Sequence, residues 1–190
     1  MDEAERNGND LSSITGYMVG AASVPPSLVE RAERSGIPVY RAYGSSEHPV
    51  ITTSAPTDPL AKRAGTDGRL VPGSEIRLLD DGEIVSRGPD LFLGYTDPRL
   101  DADSFLPGGW FCTGDIGRLD ADGFLTITDR KKDVIIRGGE NIASKEVEDL
   151  LALHPAVAEA AVVGQPDARY GERVAAFVQL RPGQTLDLDE

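Results

Sequence analysis

Around residues 116–128 the chain alternates. Phe124, Thr126 and Thr128 fall on one face and Leu125 and Ile127 on the other, the two-residue period of a pleated strand. Residues 116–119 face this run across Asp120-Ala121-Asp122-Gly123, so the pair reads as a hairpin. Upstream, residues 74–79 and 83–87 flank Asp80-Asp81-Gly82, a second hairpin signal. The stretch 68–128 therefore predicts a small antiparallel β-barrel or sheet.

The pattern before it is different. The short apolar run Tyr17-Met18-Val19 ends at Gly20-Ala21-Ala22. Pro25-Pro26-Ser27 then opens a helix, with Ser27 as N-cap, Leu28, Val29 and Ala32 as its apolar face, and Gly36 as its stop. Residues 37–40 continue as a strand that ends at Tyr43-Gly44. Strand, helix, strand over 14–45 is a βαβ unit, and a ligand is expected at the carboxyl ends of its strands, where Gly20 and Tyr43 lie. Residues 52–68 are Pro, Gly, Thr and Ala without periodicity and read as a loop.

After Asp129 a second domain begins. Residues 134–136 form a short strand and Gly138-Gly139 a tight turn. Ser144 caps a helix whose Val147, Leu150 and Leu151 share a face, with Glu146 near its N-terminus, and Pro155 ends it. Residues 157–163 and 173–180 are two strands around a Gly-Pro loop, and 185–190 look like a helix just starting. The fold class is α/β (α+β): the end of a parallel α/β subdomain, then a small antiparallel barrel, then the start of a small α+β domain.

Charge narrows the function classes. With 32 acids against 19 bases, the net charge of −13 argues against a nucleic-acid phosphate backbone or an anionic membrane surface as partner. No run approaches the roughly 20 apolar residues of an integral membrane segment. Residues 1–10 are acidic and polar, the opposite of a secretory signal, and the single cysteine forbids an intrachain disulfide. A cytoplasmic setting follows. Cys112 reads as a residue packed beside Phe111 rather than a nucleophile, since no base and acid lie near it in sequence. Neither a Ser/His/Asp arrangement nor Cys/His metal spacing is present. Oligomeric state is left open by the sequence.

Two clusters carry chemistry. In Thr113-Gly114-Asp115, a glycine-permitted turn presents a short carboxylate that can take both hydroxyls of a ribose. Arg130, within Asp129-Arg130-Lys131-Lys132-Asp133, can serve the same sugar or its phosphate through a forked hydrogen bond. The alternatives are an Asp holding a turn and a basic strand end balancing Asp129 and Asp133. In Tyr43-Gly44-Ser45-Ser46-Glu47, an aromatic ring can stack on a base, Gly44 lets the backbone come close, Ser46 can bond a phosphate, and Glu47 offers oxygens to Mg2+. The alternative there is a strand end with a solvated acid. His48 either lines a pocket or is a solvated loop residue. His154 sits at a helix end, where it compensates the dipole.

These residues, with Gly109-Trp110-Phe111-Cys112 ahead of Thr113, resemble the AMP-forming acyl-CoA synthetases, the adenylating family shared with luciferases and peptide-synthetase adenylation domains. The resemblance runs from about Gly20 to Val178. It implies an acid–thiol ligase that uses ATP, Mg2+ and coenzyme A: a carboxylic acid is joined to AMP, then transferred to the thiol. It makes Glu47 a catalytic residue and metal ligand, Lys132 the pivot of a 129–132 hinge, and Gly20, Ala21, Tyr43, Gly44, Ser46, Asp115, Arg130, Gly138 and Gly139 cofactor-binding positions. Gly138-Gly139-Glu140-Asn141-Ile142 would be the loop past which pantetheine slides, and Ser86 to Tyr95 a structural segment in which Tyr95 packs.

Ser46 replaces the family's Thr, keeping the hydroxyl. By this resemblance residues 1–128 are the end of the large domain and 133–190 an incomplete mobile one. A Gly-rich phosphate loop and a C-terminal catalytic lysine are not in the sequence, so the chain alone is expected to have little or no adenylation activity. A non-catalytic adenylate-binding module and a peptide-synthetase adenylation domain are rival readings, and a purely structural βαβ-plus-barrel domain is a third that leaves the ordered motifs unexplained. Gly44-Ser45-Ser46-Glu47-His48-Pro49 is reminiscent of ligases for fatty or alicyclic acids.

Overall fold

A computed structural model describes residues 6–21 and 24–186. The helix start expected at the C-terminus falls largely on residues outside those described. The chain divides into two compact units, Met1–Thr113 with Gly117–Ile127, and Gly114–Ile116 with Thr128–Glu190.

The first unit opens with β1 (Tyr17–Val19), α1 (Pro26–Arg34) and β2 (Val39–Tyr43), and the two strands run parallel with Val19 opposite Arg41. The apolar spacing predicts the helix and two of its three face residues: Val29 and Ala32 are buried and pack in one cluster with Val24, Ile37, Val39 and Ala64, whereas Leu28 is 42% exposed. Its start differs from expectation. Pro25 is the N-cap, no side chain caps it, and Ser27 is already helical. Pro26 fixes φ for the first turn and has no N–H to leave unsatisfied, so a hydroxyl cap is not needed. At the other end the Gly36 N–H reaches the Glu33 carbonyl and the Ile37 N–H the Ala32 carbonyl, with Gly36 at φ 76, a Schellman close.

Residues 52–68 are not the open loop their composition suggests. They hold β3 (Thr52–Thr53), antiparallel to β2, and α2 (Leu60–Gly65), and lead into β4 (Arg69–Leu70), antiparallel to β3. Buried polar side chains order the segment. Arg63 donates to the Val39 carbonyl (2.9 Å) and Glu33 (2.8 Å), and Thr52 Oγ1 to the Asp67 carbonyl (2.6 Å). Arg41 donates to the Ala64 carbonyl and to Asp67.

Next come β5 (Glu75–Leu78), β6 (Glu83–Arg87), α3 (Asp101–Ser104), β7 (Phe105–Leu106), β8 (Trp110–Leu119) and β9 (Leu125–Arg130). They form one five-stranded sheet ordered β5-β6-β8-β7, with β9 also on β8. Both expected hairpins are here. Ile84, Val85, Trp110, Phe111, Phe124 and Leu125 supply its buried apolar side chains.

The second unit continues with β10 (Ile135–Arg137), β11 (Glu140–Ile142), α4 (Ser144–Leu151), β12 (Val157–Asp167) and β13 (Gly171–Leu180), giving a sheet ordered β11-β10-β13-β12. Ser144 does not cap α4 with its own side chain. It is the first helical residue, and the Asp129 carboxylate accepts both its N–H (2.6 Å) and its hydroxyl (3.1 Å). Leu150, expected on the apolar face, is 62% exposed. The expected Gly-Pro loop is also corrected: Gly164, Gln165 and Pro166 stay paired with Val174, Arg173 and Glu172, and the chain turns at residues 168–170. Pro166 is tolerated because β12 is an edge strand in that order, where a missing N–H breaks no inner ladder. His154 lies beyond the end of α4 and accepts the Ala156 N–H on Nδ1 at 3.2 Å.

Candidate functional site

In the first unit, the carboxyl ends of β1 and β2 bring four expected residues together. Gly20 follows β1 so closely beside β2 that a Cβ would stand 2.5 Å from the Ala42 carbonyl oxygen. Ala21 takes φ 64, the left-handed region that non-glycine residues seldom occupy. Strain of this kind gathers at ligand sites. Tyr43 ends β2, half-buried, and Gly44 lies so near Pro49 that any side chain would overlap its carbonyl. Ser46 is exposed.

Glu47 is half-buried and tied to a later segment. Its carbonyl accepts the Phe92 N–H (2.7 Å) and its Oε1 the Tyr95 hydroxyl (2.9 Å). Burial first, then the hydrogen bond to Glu47, push the Tyr95 phenol above its usual value. Tyr95 does pack, edge-on to Phe92 with centroids 4.8 Å apart, but its hydroxyl has this further task. His48 neither lines a pocket nor meets solvent. It is fully buried, with Nδ1 3.0 Å from Ser86 Oγ and Nε2 3.0 Å from Asp90 Oδ1 and 3.4 Å from Ser74 Oγ. Neither tie is signalled locally, because the partners lie tens of residues away in sequence.

Among the described residues no group of three or more His, Cys, Asp or Glu could hold a metal ion. Mg2+ does not need one. It keeps several waters and takes one or two carboxylates plus substrate phosphates, so a lone half-buried Glu47 fits that role.

In the second unit, Asp115 and Arg130 do meet. Gly114 lies inside β8 and not in the expected turn, with φ 72, a torsion open to glycine, and its carbonyl accepts the Lys131 N–H at 2.8 Å. This links the two expected motifs. Asp115, nearly buried, accepts Arg130 Nε on Oδ1 at 3.2 Å, while the Arg130 side chain is 60% exposed. A pair this open to water adds little stability, but it leaves a guanidinium face beside a fixed carboxylate. Such a pair suits a diol with a neighbouring phosphate. Lys132 is exposed in the turn after β9. Gly138 and Gly139 form the exposed turn between β10 and β11, at φ 63 and 91, with the Gly138 N–H on the Tyr170 carbonyl. Two bare glycines leave the backbone of this turn uncovered.

No helix of the described residues is long and apolar enough to cross a membrane.

The profile of the AMP-binding enzymes matches residues 1–96, and that of the AMP-binding enzyme C-terminal domain matches residues 146–190. A medium-chain fatty-acid–CoA ligase of Escherichia coli is 40% identical over 201 residues, covering 98% of this chain and 35% of its own. A Rhodococcus jostii ligase for coenzyme A and a methyl-dioxo-octahydroindenyl propanoyl group is 45% identical over 193 residues, covering 100% and 38%. Among solved structures, o-succinylbenzoate coenzyme A synthetase of Bacillus subtilis in complex with AMP has a TM-score of 0.87 at 34% identity, covering 100% of this chain and 40% of that one. The same synthetase in complex with ATP and magnesium ion gives 0.83 at 36% identity, covering 94% and 39%. The chain spans 35% and 38% of the length of the two curated relatives.

Proposed function

The chain belongs to the AMP-binding enzymes, and we propose that its chemistry is that of an AMP-forming acid–thiol ligase. A carboxylic acid is joined to the α-phosphate of ATP with release of pyrophosphate, and the acyl group then passes to the thiol of coenzyme A. The observation that carries this reading is the Asp115–Arg130 pair at 3.2 Å, held by the left-handed Gly114. A carboxylate fixed this way accepts two vicinal hydroxyls, and the adjacent guanidinium serves the sugar or its phosphate.

The remaining roles are assigned from the matching motifs. Tyr43 stacks on adenine and Ser46 bonds the α-phosphate. Gly20, Ala21 and Gly44 are assigned to the backbone that borders the nucleotide, where the two glycines also let the chain pass close to Ala42 and Pro49. Gly138 and Gly139 pass pantetheine. Glu47 ligates Mg2+, which when bound would neutralise phosphate charge. Residues 129–132 are assigned as a hinge with Lys132 at its pivot, since two half-reactions at one site need a domain that turns between them. The acid is a fatty or alicyclic carboxylate, in keeping with what the two curated relatives are named for. A cytoplasmic setting fits the acidic chain with its single cysteine.

Titration of AMP into the chain by calorimetry tests the reading. Asp115→Ala should weaken binding by roughly tenfold or more, the scale of hydrogen bonds to a charged acceptor. AMP that binds Asp115→Ala as tightly as the parent, or does not bind the parent at all, overturns it.

A further inference from the structure

We propose that Tyr95 is a positioning residue for Glu47, and that residues 86–95 form the frame presenting this carboxylate to a divalent cation. The proposal rests on the reading of Glu47 as the metal-binding carboxylate and adds the residues that aim it.

Three ties fix the Glu47 turn to that frame. The Tyr95 hydroxyl donates to Glu47 Oε1 (2.9 Å), the Phe92 N–H to the Glu47 carbonyl (2.7 Å), and the His48 ring spans Ser86 Oγ and Asp90 Oδ1 at 3.0 Å each. Tyr95 is itself held. Its N–H donates to Asp101 Oδ1 (2.9 Å), and its ring lies edge-on to Phe92, which stacks on Phe105 with centroids 5.6 Å apart. The turn is closed from within as well, the Ser45 N–H on the His48 carbonyl (2.9 Å) and the His48 N–H on Ser45 Oγ (3.2 Å).

A surface glutamate with three rotatable bonds loses side-chain entropy when it takes one ligating geometry. A phenol fixed by aromatic packing removes much of that freedom beforehand. Outer partners that hold a ligand in place are worth 10–100-fold in metal affinity or activity. A single-carboxylate site depends on such support more than a multi-ligand cage does.

The test follows Mn2+-induced broadening of the amide resonances of residues 46–48 in the chain, with Glu47→Gln, Tyr95→Phe and Tyr95→Leu beside the parent. The proposal expects site-specific broadening in the parent, its loss in Glu47→Gln, and a half-effect concentration raised roughly tenfold in Tyr95→Phe, which keeps the ring and removes only the hydroxyl. Broadening that survives Glu47→Gln overturns the metal reading of Glu47 and the proposal with it. Loss in Glu47→Gln with Tyr95→Phe behaving as the parent leaves that reading standing and overturns the proposal alone.

Discussion

The carboxylate of Asp129 holds the N-terminus of a helix that begins 15 residues later, accepting the Ser144 N–H at 2.6 Å and its hydroxyl at 3.1 Å. Both residues are buried, so water cannot replace either bond. Asp129 thus does the work of an N-cap from outside the local sequence. It also lies beside Arg130, whose N–H it accepts at 2.7 Å. Asp129→Ala should cost about 1–2 kcal/mol, the range for lost N-caps, and Ser144→Ala less because its N–H bond survives. Guanidinium denaturation of both variants measures this, and equal losses would mean that the hydroxyl dominates.

Ala21 stands at φ 64, where an L side chain costs about 1–2 kcal/mol. Ala21→Gly should therefore raise stability, by about 1 kcal/mol after the greater chain entropy of glycine is subtracted. Thermal unfolding reads the change. A lower melting temperature would show that contacts of the Ala21 methyl outweigh the torsion.

Asp67 joins two otherwise separate segments. Its Oδ1 accepts Arg41 NH2 (2.6 Å) and its Oδ2 the Ile127 N–H (2.8 Å), and the side chains of the ion pair are each 9% exposed. Asp67→Ala leaves a buried guanidinium without its counter-charge, a loss of about 3–5 kcal/mol. Replacing both partners by apolar residues should recover much of that, so Arg41→Met with Asp67→Leu is expected to be more stable than Asp67→Ala alone. Urea melts of the three proteins decide it.

Asp120 is one of the carboxyls that tie stability to pH on the acid side. Lys62 first, and then the Phe124 N–H, hold its carboxyl below the ordinary 3.8. A folded-state value below the unfolded one gives stability that is present above pH 3.8 and is lost as pH falls through the lowered value. Asp120→Asn should be less stable than the parent near neutrality, and the gap should close in strong acid. Salt should narrow it too, because the groups are exposed to solvent. A gap independent of pH would place the effect in turn geometry instead of charge.

Local signals made the first βαβ unit and both hairpins legible. Val29 and Ala32 repeat at helical spacing, Gly36 marks a stop, and Asp-Asp-Gly and Asp-Gly mark turns. What stayed hidden is held by partners distant in sequence. Residues 52–70 are ordered through Arg41, Arg63 and Asp67, which carry no periodicity. The start of α4 answers to Asp129. The Gly164–Pro166 stretch looks like a loop to any local rule, yet an edge strand tolerates it.

The candidate site divides in the same way. Asp115 and Arg130 were visible because Gly114 and the basic run punctuate the chain. The grip on Glu47 was not, since Tyr95 lies 48 positions away and His48 finds Ser86 and Asp90 at 38 and 42. A tyrosine placed by packing gives no hint in sequence of where its hydroxyl points.

Gly114 has φ 72, yet nothing lies within 4 Å of a Cβ built there. The demand at this position is one of handedness and not of room. An L-alanine at position 114 therefore has space for its methyl and meets only the torsional cost of about 1–2 kcal/mol that Ala21 already bears.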